Sequence, residues 1–275
     1  MTTWICDGCG VEHADSPEPP ARCVFTSDVV AIEEVGDMPP HGSRWTTHDE
    51  LAADPHETEH VDHGRGIHSL RRSPRFAIGH RSFLVQTRGG NLLWDAPSHL
   101  DDEVLRVVRG LGGVTAIAGS HPHVFGAQVS WSHGFGRAPV WVNAKHREWL
   151  GRQDPAIRLW EERAEPLPGI DLIELGGHMA GSSVARTADG TLLTGDTISG
   201  VPKAPAWVSF QRNYPKVVPL SPAVVRRIID RLEPYEYDRL YTLGGDEIDQ
   251  DAKEVVRRSA ESHIRWACGE FDHLT

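Results

Sequence analysis

The chain has 275 residues, 39% hydrophobic and 24% charged, which supplies a large buried core and argues against wholesale disorder. Its formal charge is −11 at pH 7 with no basic cluster, a poor match to a phosphate backbone, so nucleic acid is not an expected partner. No apolar run approaches the roughly 18–20 residues that span a bilayer, and MTTWICDGC is no basic-then-apolar leader, so the expectation is a soluble, cytoplasmic protein without a membrane partner.

Three zones follow in chain order. The first, 1–28, holds Cys6, Cys9 and Cys23 with Pro17, Pro19 and Pro20 between them. Cys6-X-X-Cys9 with Gly10 behind it forms a knuckle that turns two sulfurs toward one ion. The layout is similar to a rubredoxin-like or zinc-ribbon module, but Thr26 stands where a second CxxC would place a cysteine. Three thiolates need a fourth donor to hold structural zinc or iron; His13 is the nearest, with Asp28 and the distant Cys268 behind it. A metal-free, degenerate module is the alternative. A redox dithiol lacks the surrounding β-α-β pattern.

The second zone, 29–75, is polar and reads as an irregular connection with one short helix at His48–Ala53, capped by Thr46 or Thr47. His56, His60 and His63 lie in HETEHVDH, which lacks apolar periodicity and reads as a solvated loop.

The third zone, 76–275, carries the periodicity. Strands at 82–88 and 91–95 flank Gly89-Gly90, a hairpin signal. A helix at 101–111 has acidic residues in its first turn, and Val114–Ala118 is an apolar strand. Then come a helix at 124–135, a strand at 139–142, a helix at 144–150, and short strands at 170–175, 183–187 and 191–194, with Asp189-Gly190 as a second turn. Ser221 caps a helix at 222–232 that opens on proline; a strand at 239–243 and a helix at 250–267 close the chain. Hairpins mixed with β-then-α units predict two mixed sheets with helices outside.

Three fragments place a ligand-type residue just after an apolar strand: AIAGSHPH (116–123), LIELGGHMAGSS (172–183) and TLLTGDTI (191–198). Strand ends share a sheet edge, so such loops meet despite their sequence separation. His121 and His123 flank Pro122, His178 follows two glycines, and Asp196 follows Gly195. Three imidazoles and a carboxylate suit zinc with room for water; iron or manganese is also compatible.

Asp95 after a strand, then SHPH, GGHMAGSS and LLTGDT, resembles the metallo-β-lactamase fold superfamily over about 76–275. The resemblance implies a four-layer αββα sandwich, with His121, His123 and His178 as the first metal position and Asp196 as the carboxylate that normally bridges two metals. It makes Asp95 a residue that orients a ligand histidine. The family's HxHxDH motif would have Asp and His at positions 125 and 126, where this chain has Phe125 and Gly126, and no late histidine follows in LGGD (243–246). One metal ion is therefore expected. Asp246 or Glu247 is the substitute proton acceptor or weak ligand, and the alternative is that they cap a turn. His99, His133 and His146 read as surface or helix residues, and Trp207 and Phe210 as pocket wall or packing. The expected function is a metal-dependent hydrolase of small-molecule esters, thioesters, lactones or amides; a catalytically degenerate metal-binding or interaction scaffold is the alternative.

Overall fold

Local sequence signals set most element ends. The computed structural model describes residues 1–23, 25, 44–204, 206–212, 218–244 and 247–275. The chain divides into two units, Met1–Trp160 with Pro166–Pro168, and Glu161–Glu165 with Gly169–Thr275.

In the first unit, β1 (Ile5–Cys6) pairs with β2 (Trp45–Thr46). Thr47 then starts α1 (His48–Ala53) with a reciprocal capping box to Glu50. The main sheet has seven strands in sequence order: β3 (Glu57–Asp62), β4 (Ile67–Ser73), β5 (Ser82–Thr87), β6 (Gly90–Trp94), β7 (Ala116–Ala118), β8 (Val140–Asn143) and β9 (Ile157–Trp160). The first four are antiparallel. From β6 onward they are parallel. Parallel neighbours need a crossover, and α2 (Asp102–Gly110) supplies the first, capped by the Asp101 carboxylate on Glu103 and Val104 N–H. The helix α3 (Gln128–Gly134) lies in the second.

The stretch 29–75 was expected to be an irregular connection. Its part 57–73 is instead a β-hairpin of the main sheet. β3, ETEHVD, is almost wholly exposed and pairs on one side only, so it carries no buried face for periodicity to report. Helix over 124–135 begins later than expected, because Pro122–Val124 is a 3₁₀ turn and the chain breaks at Gly126. Residues Ala144–Trp149 form a 3₁₀ helix rather than an α-helix.

The residues of the expected N-terminal module share one core with the sheet. Cys6, Cys9 and Cys23 are buried in the same cluster as Leu84, Leu93, Ile117, Phe125 and Trp131. Glu12, 2% exposed, accepts hydrogen bonds from Val129 N–H, Ser130 N–H and the Ser130 hydroxyl at the start of α3, and pairs with Arg152 at 2.9 Å. Burial pushes its carboxyl up, against the pull of Ser130 and Arg152.

The second unit holds the start of β10 (Arg163–Leu167), then β11 (Ile170–Glu174), β12 (Ser183–Thr187), β13 (Thr191–Leu193) and, beyond a small β14 (Ser199–Gly200) and β15 (Val208–Ser209) ribbon, β16 (Arg239–Tyr241). Its five-stranded sheet runs β10-β11-β12-β13-β16, with β13 and β16 parallel. The crossover is α4 (Pro222–Leu232), capped by Ser221. α5 (Ala252–Ala267) joins it, burying Val255, Val256 and Ala260 in one cluster with Val225, Ile228 and Leu232. Among the described residues no helix is long and apolar enough to cross a membrane.

Candidate metal centre

β6 and β7 run parallel with Trp94 opposite Ala118, so the residues after both strands emerge side by side. Asp95 follows β6 with φ +55° and is fully buried. Its carboxylate accepts the Ser120 N–H at 2.6 Å and the Ser120 hydroxyl at 3.1 Å. The Ser120 oxygen lies 2.9 Å from His121 Nδ1. Since the serine proton goes to the carboxylate, its oxygen accepts from Nδ1–H, and the lone pair of His121 is placed on Nε2. A buried carboxylate thus sets the tautomer a metal ligand needs, one hydroxyl removed. The His121 and His123 rings are 4.8 Å apart at 73°. Phe25 packs edge-on against His123 at 4.3 Å and orients it.

In the second unit, the turn after β11 is closed by Ser182, whose carbonyl accepts from Leu175 and Gly176 N–H and whose hydroxyl accepts from Met179 N–H. Gly177 has φ +90°, and a Cβ there would stand 3.0 Å from Ile228 Cδ1 and 3.1 Å from Leu220 Cδ1. The glycine lets the chain turn tightly enough to bury His178, which is 2% exposed. The Thr197 hydroxyl donates to the Gly176 carbonyl at 3.0 Å, tying the loop after β13 to this turn. As a result His178 Nε2 and Asp196 Oδ2 lie 3.9 Å apart, with the Asp196 side chain 26% exposed. The donor types fit a transition metal: imidazoles, one with its tautomer fixed, and a carboxylate partly open to solvent.

No protein-family model matches the sequence. The uncharacterized protein YmaE of Bacillus subtilis (strain 168) is 35% identical over 286 residues, spanning 99% of this chain and 100% of that protein. Among solved structures, the DIM-1 metallo-β-lactamase superimposes with TM-score 0.55 over 75% of this chain and 98% of its own, at 15% identity. The metal-soaked flavodiiron core of Flv1 from Synechocystis sp. PCC6803 does so with TM-score 0.56 over 77% of this chain and 62% of its own, at 13% identity. The chain has the metallo-β-lactamase fold. YmaE is a full-length relative of this chain.

Against the HxHxDH motif of the family that the sequence resembles, positions 125 and 126 depart for structural reasons. Phe125 is 1% exposed and packs in the core of the first unit. Gly126 has φ +52°, and a Cβ there would sit 2.1 Å from the Ala96 carbonyl oxygen and 2.9 Å from that of Pro97. No histidine can occupy this backbone without moving the loop after β6.

The three sulfurs of Cys6, Cys9 and Cys23 lie within 4.8 Å of one another, with Cys9 and Cys23 at 3.6 Å and no disulfide. Hydrogen bonds from Cys23 and Cys9 hold the Cys6 thiol far below its usual range, while Cys23 and Cys6 push Cys9 up and Cys6 pushes Cys23 up. His13, expected as the nearest fourth donor, is not one of the group. It is buried edge-on against Trp45; burial lowers its pKa and the charge on Cys6 opposes that. Cys268 is exposed at the end of α5. Asp28 and Asp246 lie outside the described residues.

His99 and His146, read from sequence as surface or helix residues, are buried at 4% and 0% exposure. His133 is partly exposed and pairs with Asp154 at 2.8 Å. Phe210 packs in the core of the second unit, while Trp207 is exposed under the Arg258 guanidinium. Ser120 was not singled out from the sequence; its place directly before His-Pro-His was the available signal.

Proposed function

We propose that this protein is a metal-dependent hydrolase that holds one transition-metal ion, with the donors its sequence motifs supply, His121, His123, His178 and Asp196. The observation that carries the reading is the Asp95–Ser120–His121 chain, which spends a buried carboxylate on fixing one imidazole in the ligating tautomer. A bound divalent cation supplies Lewis acidity and brings the pKa of water from 15.7 to about 7. Zinc suits these donors, and iron or manganese is compatible with them. The fold neighbours include both metallo-β-lactamases and flavodiiron proteins.

The single-ion reading is supported by Phe125 and Gly126, which leave no side-chain donor where the superfamily motif has Asp and His. The chain's own groups then divide the work. Asp95 and Ser120 orient His121, and Asp196, whose side chain is partly open to solvent, faces arriving substrate and water. Asp246, which follows β16 in the sequence, is the proposed proton acceptor in place of the missing Asp. The substrate class is a small ester, thioester, lactone or amide. Cys6, Cys9 and Cys23 make a separate structural set for zinc or iron.

The test is metal content and turnover of the purified chain. His178→Ala is expected to lose one equivalent of metal relative to wild type and all hydrolysis across an ester, thioester and lactone panel. Asp246→Asn keeps the metal and lowers kcat by about 10²–10⁴-fold. Equal metal content in wild type and His178→Ala sinks the proposal. One equivalent bound at this site with no turnover on any substrate selects the alternative, a metal-holding scaffold, which the loss of the motif Asp favours.

A further inference from the structure

A second set of ligand-type side chains lies wholly inside the first unit, and none of its three members belongs to the centre above. His56 precedes β3, His99 lies in the loop between β6 and α2, and Asp101 is the N-cap of α2. One donor atom from each falls within 4.8 Å of the other two. His56 Nε2 is 2.9 Å from Asp101 Oδ2, and His99 Nε2 is 3.8 Å from the same oxygen.

The proton positions decide what this cluster is for. His56 Nδ1 lies 2.7 Å from the Asp54 carbonyl oxygen, which can only accept, so Nδ1 carries a proton. In a neutral His56, Nε2 is then a lone pair facing a carboxylate oxygen at 2.9 Å. Two lone pairs at that distance repel, and something positive has to stand between them. Asp101 Oδ1 is already engaged by the Glu103 and Val104 N–H groups at 2.9 and 3.0 Å, which leaves Oδ2 turned to the imidazoles.

A second proton on His56 would satisfy that pair alone. It would leave His99 Nε2, buried and without a hydrogen-bond partner among the described residues, still unsatisfied. A metal ion takes both lone pairs and Oδ2 together. We propose that His56, His99 and Asp101 form a separate divalent transition-metal site, structural in type and best matched by zinc.

Two further observations agree with it. Both ring nitrogens of His48 are also buried without hydrogen-bond partners among the described residues, and this histidine is electrostatically coupled to Asp101 and His99. Arg72, a cation of the sheet coupled to Asp101, is coupled to Asp54 and Glu103 as well. The consequence would be a clamp joining the start of β3 to the cap of α2.

This proposal does not depend on the hydrolase reading, and the experiment separates the two. The full-length protein is stripped with chelator, reloaded with zinc, and counted for metal by mass spectrometry. The comparison set is wild type, His99→Ala, Asp101→Asn and His178→Ala. Asp101→Asn keeps a side-chain oxygen for the Glu103 and Val104 N–H groups, so α2 retains its cap.

His99→Ala and Asp101→Asn are each expected to lose one equivalent that His178→Ala retains, and zinc should raise the Tm of wild type more than theirs. Long-range ¹H–¹⁵N spectra of the zinc-loaded wild type should show no proton on His56 Nε2. Unchanged metal content in Asp101→Asn would overturn the proposal. So would a persistent His56 Nε2 proton at saturating zinc, which would make the cluster a His–Asp ion pair.

Discussion

Ser120 shows how one hydroxyl can govern the tautomer of a buried imidazole. It sits between the Asp95 carboxylate and His121 Nδ1, so its removal breaks the path described above by which that charge fixes the tautomer. The Ser120 backbone N–H would still reach Asp95, so the loop should keep its shape. Ser120→Ala is therefore expected to weaken metal binding at His121 by about 10–100-fold with little change in Tm, measured by competition against a chromophoric chelator. Ser120→Thr, which keeps the hydroxyl, should restore it. Gly126 makes the opposite kind of prediction. Its left-handed backbone and the carbonyls at 2.1 and 2.9 Å from a would-be Cβ mean that Gly126→Ala should cost about 2–4 kcal/mol, read from the urea midpoint.

At the scale of elements, the caps and turns are where local sequence and structure agree closely. Thr47, Asp101 and Ser221 each cap the helix that follows. Gly89-Gly90 turns β5 into β6, and Asp189-Gly190 turns β12 into β13. Strands β1 to β4, β9, β10, β14 and β15 went unread. β3 and β10 are edge strands that carry charged residues, as in ETEHVD and RAEPL, and the interior β4, IHSLRRS, sets His, Ser and Arg among its apolar positions, so none gives a clean apolar alternation; β1, β2, β14 and β15 have two residues each.

The approach to β9 also supports a pH prediction. Partial burial raises the Asp154 carboxyl, but the Ala156 N–H, His133 and Arg137 outweigh it and hold the pKa below 3.8. A depressed carboxylate stabilises the fold above its unfolded-state value, and that contribution is lost as pH falls through the folded-state value. Asp154→Asn should cost about 0.5–1 kcal/mol at pH 7, and the difference from wild type should vanish on acidification well below 3.8, measured by denaturant titration at each pH.

Across the whole first unit, Glu12 is the clearest long-range tie. It reaches over a hundred positions of chain to the first turn of α3 and to Arg152. Because Cys6, Cys9 and Cys23 share a core with the seven-stranded sheet, the N-terminal residues should unfold with it in one transition. Glu12→Ala removes the acceptor of the Val129 and Ser130 N–H groups and leaves Arg152 to Asp15 and the Ser130 hydroxyl, and should cost about 3 kcal/mol. Calorimetry is expected to show the N-terminal segment and the sheet lowered together; a separate early transition for the segment would contradict this.

By itself the sequence determined the order of most strands and helices, the caps and turns, and the donor residues that carry the metallo-β-lactamase resemblance. Those signals are local, written in periodicity and in spacings a few residues long. Only the tertiary structure decided that Ser120 links Asp95 to His121, that Gly126 excludes a side chain, that the cysteines are core, and that His56 meets His99 and Asp101. Each of those facts joins residues whose nearness is produced by strand pairing and burial, which no short stretch of chain encodes.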